Sequence, residues 1–148
     1  KGGLLYNFST KEALLDALLD HMMAHFSEFR EIIRQEHPQD RDNDLVIEIR
    51  SLQEKSENER RMSAALLAVI FNQPNLMSKL RMDLHDRFFK KIMSQSNRNR
   101  SSILFFASMG ILFHDLLNIS LLDRQFKQEL YEELIRLAKR EGNIENWV

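Results

Sequence analysis

The chain has 148 residues, 43% of them hydrophobic, which is the size and apolar content of one ordinary domain with a substantial core. Four glycines and two prolines supply little turn chemistry, which argues against an all-β sandwich and for an all-α protein, and the lack of cysteine excludes disulfides, thiolate zinc sites and a cysteine nucleophile. With 21 basic and 22 acidic residues the formal net charge is −1, without the basic excess of a complete DNA-binding domain, so either the chain binds no nucleic acid or the segment that does lies mostly outside it.

The opening run KGGLLYNFSTKE, Lys1 to Glu12, joins a Lys-Gly-Gly start, an aromatic pair at Tyr6 and Phe8, and Ser9-x-x-Glu12. That last spacing is a capping box, in which Ser9 caps the next helix and Glu12 reaches back. From Thr10 the apolar set Leu14, Leu15, Leu18, Leu19, Met22, Phe26, Phe29 and Ile33 recurs at three- and four-residue steps until His37-Pro38. It predicts one long helix of about seven turns. Pro38 to Asp44 is polar and turn-rich, a loop and the best candidate for a mobile segment. Asp44 is placed to cap a second helix through Leu45, Ile47, Ile49 and Leu52, and a second capping box, Ser56-x-x-Glu59, opens a third with Met62, Leu66, Leu67, Val69, Ile70 and Phe71.

Pro74 suits the first turn of a fourth helix, in which Leu76, Leu80, Leu84, Phe88 and Ile92 stand four apart. Ser94 to Ser102 is a polar, basic loop whose Ser101 or Ser102 can cap a fifth helix running to about Ile119. The stretch Ile103 to Leu122 is broken by Ser108, His114, Asp115 and Asn118, too polar for a membrane span, so a buried helix and no membrane partner are expected. A last helix begins near Asp123, carries Phe126, Leu130, Leu134 and Leu137 on one face, and stops at Gly142.

The opening run resembles the helix-turn-helix exit of tetracycline-repressor (TetR) family transcriptional regulators, and the order of long connecting helix, middle helices and two terminal helices agrees with that family. The resemblance implies an all-α, TetR-like ligand-binding and dimerisation domain, residues 10–148, preceded by the end of a recognition helix in residues 1–9. A complete helix-turn-helix unit needs on the order of 40 residues, so most of it would lie upstream. By position, Lys1 and Gly2 match a Lys-Gly pair in the recognition helix, Tyr6 a phosphate-contacting tyrosine, and Lys11 a lysine that meets the DNA backbone; Asn7 stands where histidine is frequent and Gly3 where serine or threonine is. The implied DNA-binding set is Lys1, Gly2, Tyr6, Asn7 and Lys11, the partner is double-stranded operator DNA, and the protein is expected to be a cytoplasmic homodimer without cofactor.

Methionines and aromatics adapt to and wall an apolar pocket. Met22, Phe26, Phe29, Leu66, Ile70, Leu84, Phe88, Met109 and Phe113 are the candidates for contact with a small apolar or amphipathic ligand, Met23, Met62, Phe71 and Phe89 lesser ones. The fifth helix is apolar nearly all round, which suits one face on the core and another on a second copy. Leu104, Ser108, Ile111, Leu112, Asp115, Leu130 and Leu134 are the candidate dimer interface. His21 and His25, four apart on one helix, suggest the alternative of a helical-bundle metal-binding protein or enzyme, although Met22 replaces the glutamate that a zinc-protease helix needs. A purely structural dimerisation module is a third reading.

Overall fold

A computed structural model describes residues 8, 10–71, 73–93 and 95–140. They form six α-helices: α1 Lys11–Glu36, α2 Asp44–Gln53, α3 Glu57–Ile70, α4 Pro74–Arg87, α5 Arg98–Leu116 and α6 Arg124–Lys139. A π-helical turn, Phe88–Ile92, extends α4. No strand occurs among the described residues, so the fold is all-α.

Most helix starts come from short side chains that accept an otherwise unpaired amide. Ser56 and Glu59 form the predicted reciprocal box, with the Ser56 amide donating to Glu59 at 2.7 Å and the Glu59 amide donating to Ser56 Oγ at 3.2 Å. Pro74 occupies the first turn of α4, and Asp123 caps α6 through the Phe126 amide at 2.8 Å. Three other caps fall one to five residues upstream or downstream of the expected position. Thr10 caps α1, accepting from the Ala13 amide at 3.0 Å, in place of Ser9, which lies outside the described residues. Asn43 rather than Asp44 caps α2, at 3.1 Å from the Val46 amide. Asn97, not Ser101 or Ser102, caps α5 through the Arg100 amide at 3.1 Å, because the basic run expected to be a loop forms the first turn. The ends of two helices also differ. α5 stops at Leu116, with Asn118 in the left-handed region at φ 55°, rather than reaching Ile119, and α6 ends at Lys139, before Gly142, which is not among the described residues.

α2 is the centre of the molecule, packing against α1, α5, α6 and the π turn. Seven of its ten residues are buried: Leu45, Val46, Ile47, Glu48, Ile49, Ser51 and Leu52. Leu45, Val46, Ile49 and Leu52, with Ile92, Leu104, Phe105, Leu112, Tyr131 and Ile135, make a first core. A second core joins Leu19 and Met22 of α1, Leu66 and Ile70 of α3 and Leu76 of α4. The four-residue repeat of α4 accounts for the division. Each four-residue step along an α-helix advances about 40° beyond a full turn, so an uninterrupted stripe rotates steadily around its axis. Leu76 therefore enters the second core and Ile92, at the end of a π turn closed by the Met93 amide on the Phe88 carbonyl at 2.9 Å, enters the first.

The loop between α1 and α2, expected to be mobile, is anchored through Asp40. This buried carboxylate accepts from Arg50 Nε at 3.0 Å and Nη2 at 2.9 Å and from Lys139 Nζ at 2.7 Å. Burial pushes its pKa up, but the hydrogen bonds from Lys139 and Arg50 outweigh that and hold it below the usual carboxylate range. The loop thus ties α2 to the end of α6.

Candidate ligand-binding site

Between the two cores lies a cavity of about 120 Å³. Leu52 and Leu112 of the first core and Leu66 of the second are in its wall, with Phe26 and Phe29 from α1, Leu80 and Leu84 from α4, and Met109, Phe113 and Leu116 from α5. Four helices converge here because their apolar faces are not fully used by either core, and α2 closes the floor.

Of the residues expected from sequence to meet a ligand, Phe26, Phe29, Leu66, Leu84, Met109 and Phe113 line the cavity. Met22 and Ile70 are enclosed within the second core, and Phe88 packs on the first, 5.2 Å from the Phe105 ring and 5.4 Å from Phe106. Met23 and Met62 pack on the second core, while Phe71 and Phe89 point outward.

The polar part of the wall escaped the sequence reading. Glu48, 6% exposed, accepts from Arg87 Nη1 at 2.6 Å and faces Arg30 Nε at 3.8 Å, and Arg87 also donates through Nε to Asp83 at 2.9 Å. Burial pulls the Arg30 pKa below its usual value, opposed by Glu48. Lys55, just beyond α2, carries its ammonium 3.7 Å over the Phe26 ring and 3.5 Å from Ser63 Oγ. Burial lowers its pKa to about 8. Glu48 interrupts an otherwise apolar run, the one sequence signal that a charge is held inside; nothing local marks Lys55, Arg30 or Arg87.

The comparison with known families falls on this part of the molecule. The family described as Tetracyclin repressor-like, C-terminal domain, matches residues 45–139, from α2 to the end of α6. The chain belongs to the TetR family. That is a family of regulators rather than of enzymes. Comparisons with curated proteins and with solved structures give no match.

In this TetR-family domain four of the seven residues expected at a dimer interface lie inside the protomer. Leu104, Ser108 and Leu112 are 1%, 0% and 6% exposed and face α2, with Ser108 Oγ donating to the Phe105 carbonyl at 2.7 Å. Asp115 is bound within the protomer by Arg60 Nη1 at 2.5 Å and Lys127 Nζ at 2.8 Å. These four are inside because α5 presents them to α2 and α6; Ile111, Leu130 and Leu134 are half-buried. The exposed side of α5 is a different apolar stripe: Ile103, Phe106, Ala107, Gly110, Phe113 and Leu117, with open space before Gly110.

At the other end, Lys11 is exposed in the first turn of α1, while Lys1, Gly2, Tyr6 and Asn7 lie outside the described residues. His21 is exposed and His25 faces Glu59 at 3.4 Å. Among the described residues no group of three or more His, Cys, Asp or Glu side chains is arranged to hold a metal ion. No described helix is long and apolar enough to cross a membrane.

Proposed function

We propose that this protein is a TetR-like transcriptional regulator, a repressor, that binds operator DNA as a homodimer in the cytoplasm and is released by a small molecule entering the cavity between the two cores. One observation carries the reading: the cavity shares a wall with α1, the helix whose first turn presents Lys11. The positive end of a helix and an exposed lysine together suit a phosphate, so Lys11, with Lys1, Gly2, Tyr6 and Asn7 before it, is the proposed DNA end, residues 1–9 belonging to the DNA-binding domain and residues 10–148 to the ligand domain.

At about 120 Å³ the cavity is smaller than the ~300–1,000 Å³ typical of drug-sized ligands. A ligand must therefore spread the helices that line it, and displacement of α1 changes the spacing of the two DNA-binding heads. The ligand prefers the spread state, and operator affinity falls by that differential binding energy. The exposed α5 stripe, with Ala107 and Gly110 allowing close approach between Phe106 and Phe113, is the proposed dimer face, in place of the inward-facing Leu104, Ser108, Leu112 and Asp115. Phe113 belongs to both the stripe and the cavity wall.

Titration of the full-length protein on DNA from upstream of its own gene, at two salt concentrations, tests the reading. The expected result is tight, salt-sensitive binding that outcompetes unrelated DNA. Weak binding, equal on any sequence, would remove the regulator reading for that operator.

A further inference from the structure

The charges around the cavity are unevenly matched. Arg30, Lys55 and Arg87 line it against the carboxylate of Glu48. Arg87 and Arg30 close on Glu48, with Asp83 behind Arg87, so those groups neutralise one another. Lys55 is left over. Its neighbours are an aromatic face and a hydroxyl, and no described carboxylate comes within ion-pairing distance of it. Glu59 and Glu48 act on it only through space, opposed by Arg30 and Arg60, and the Glu59 oxygens are already engaged by the Ser56 amide and His25.

Lys55 also lines a second, polar cavity, with Arg60, Arg124 and Lys127 and with the acidic Glu54 and Glu57. It therefore stands where apolar wall gives way to a charged cleft, in which Asp115 already pairs Arg60 and Lys127. A partly desolvated ammonium without a carboxylate has a strong charge-assisted hydrogen bond still to make.

We propose that the ligand of this site is a small monocarboxylate with an apolar body, the body lying among Phe26, Leu66, Leu84 and Met109 and the carboxylate accepting a hydrogen bond from Lys55 Nζ. This rests on the cavity being the ligand site. It narrows the ligand from any apolar molecule to an anionic amphiphile.

Calorimetric titration of the full-length protein with octanoate and with octan-1-ol, repeated on Lys55→Met, tests it. The substitution keeps an apolar stem and removes an unpaired charge, so the variant is expected to melt at or above the wild-type temperature. Octanoate should bind the wild type on the order of ten-fold or more tighter than octanol, and the preference should vanish in Lys55→Met, with octanoate losing more affinity than octanol. Octanoate affinity for the wild type should also fall as pH rises through about 8, a fall absent from the variant. Octanol binding as tightly as octanoate, or a preference that survives Lys55→Met, overturns the carboxylate assignment while leaving an apolar site. Binding of neither compound overturns the cavity reading and the inference together.

Discussion

The two cores flank one cavity and use similar side chains, but they are built differently. In the first, α2 buries seven of ten residues and is enclosed by α1, α5, α6 and the π turn. In the second, α1 contributes only the buried Leu19 and Met22 from its 26 residues, and α4 buries Leu76 alone over 14. A helix held on one narrow face costs less to displace than one enclosed on all sides. On the proposed function, the core around α2 is therefore the fixed platform and the α1–α3–α4 layer the part that yields to a ligand. The largest contrast should come from cavities cut into each side. Ile49→Ala, at a fully buried position in α2, should cost about 4 kcal/mol in urea unfolding, whereas Leu76→Ala should cost about 2 kcal/mol because its thinner surroundings can collapse. Equal losses would mean that the two cores are equally rigid and would remove the platform.

The boundary between the cores is charged, and it tests whether they act as one cooperative unit. Glu48→Ala leaves Arg87 and Arg30 facing the cavity without their shared carboxylate, and removal of one partner from a buried pair typically costs ~3–5 kcal/mol. Asp83 still holds Arg87, so a loss of about 3 kcal/mol is expected, read by urea unfolding. Because Glu48 belongs to the platform and Arg87 and Arg30 to the yielding layer, the variant should also separate the transitions of the two layers when both are followed by hydrogen exchange. A single unchanged transition would show that the apolar contacts alone couple them.

Much of this contrast was legible in the sequence, and the misses have physical causes. Ser56-x-x-Glu59 predicted its cap correctly, but the same spacing at Ser9-x-x-Glu12 did not, because Thr10 beside it is an equally good acceptor and takes the position. Polarity misled at the start of α5. Arg98, Asn99 and Arg100 read as loop, yet buried Arg100 donates to the Leu137 carbonyl of α6, so a charged side chain lengthens the helix instead of ending it. The apolar half of the cavity could be read from Phe26, Phe29, Leu84, Met109 and Phe113, since large apolar residues declare themselves at helical spacing. Its charged half could not, because Glu48 finds Arg30 and Arg87 on two other helices, and only the fold brings them together. Enclosure by neighbours likewise belongs to α2 rather than to α5, the helix that reads as apolar nearly all round.

Asp40 gives a smaller and pH-dependent test of the platform. Its folded pKa lies below the ordinary value of ~3.9, so its stabilising effect is fully present above that value and is lost as pH falls through the depressed one. Asp40→Asn should cost about 2 kcal/mol near neutral pH, since hydrogen bonds to a charged acceptor from Arg50 and Lys139 are weakened. The melting temperatures of wild type and variant should then converge as pH is lowered past ~3.9. A gap that persists at low pH would assign the loss to packing instead of charge.

The smallest effect on stability should be the most direct test of the yielding layer. Lys79 precedes the cavity-lining Leu80 on α4, and its ammonium reaches Asp16 at 2.8 Å and Asp20 at 2.6 Å, one turn apart on α1. Its hydrogen bonds to those two carboxylates raise its pKa, but all three groups are near the surface, where such pairs contribute little. Lys79→Ala should therefore change unfolding free energy by about 0.5 kcal/mol or less. If α4 carries α1 when the cavity fills, the clamp links ligand to DNA although it touches neither. The variant should then bind DNA alone and ligand alone as the wild type does, while ligand lowers its DNA affinity several-fold less. Unchanged coupling would mean that α1 responds to the ligand directly through Phe26 and Phe29, and that α4 is a bystander to the switch.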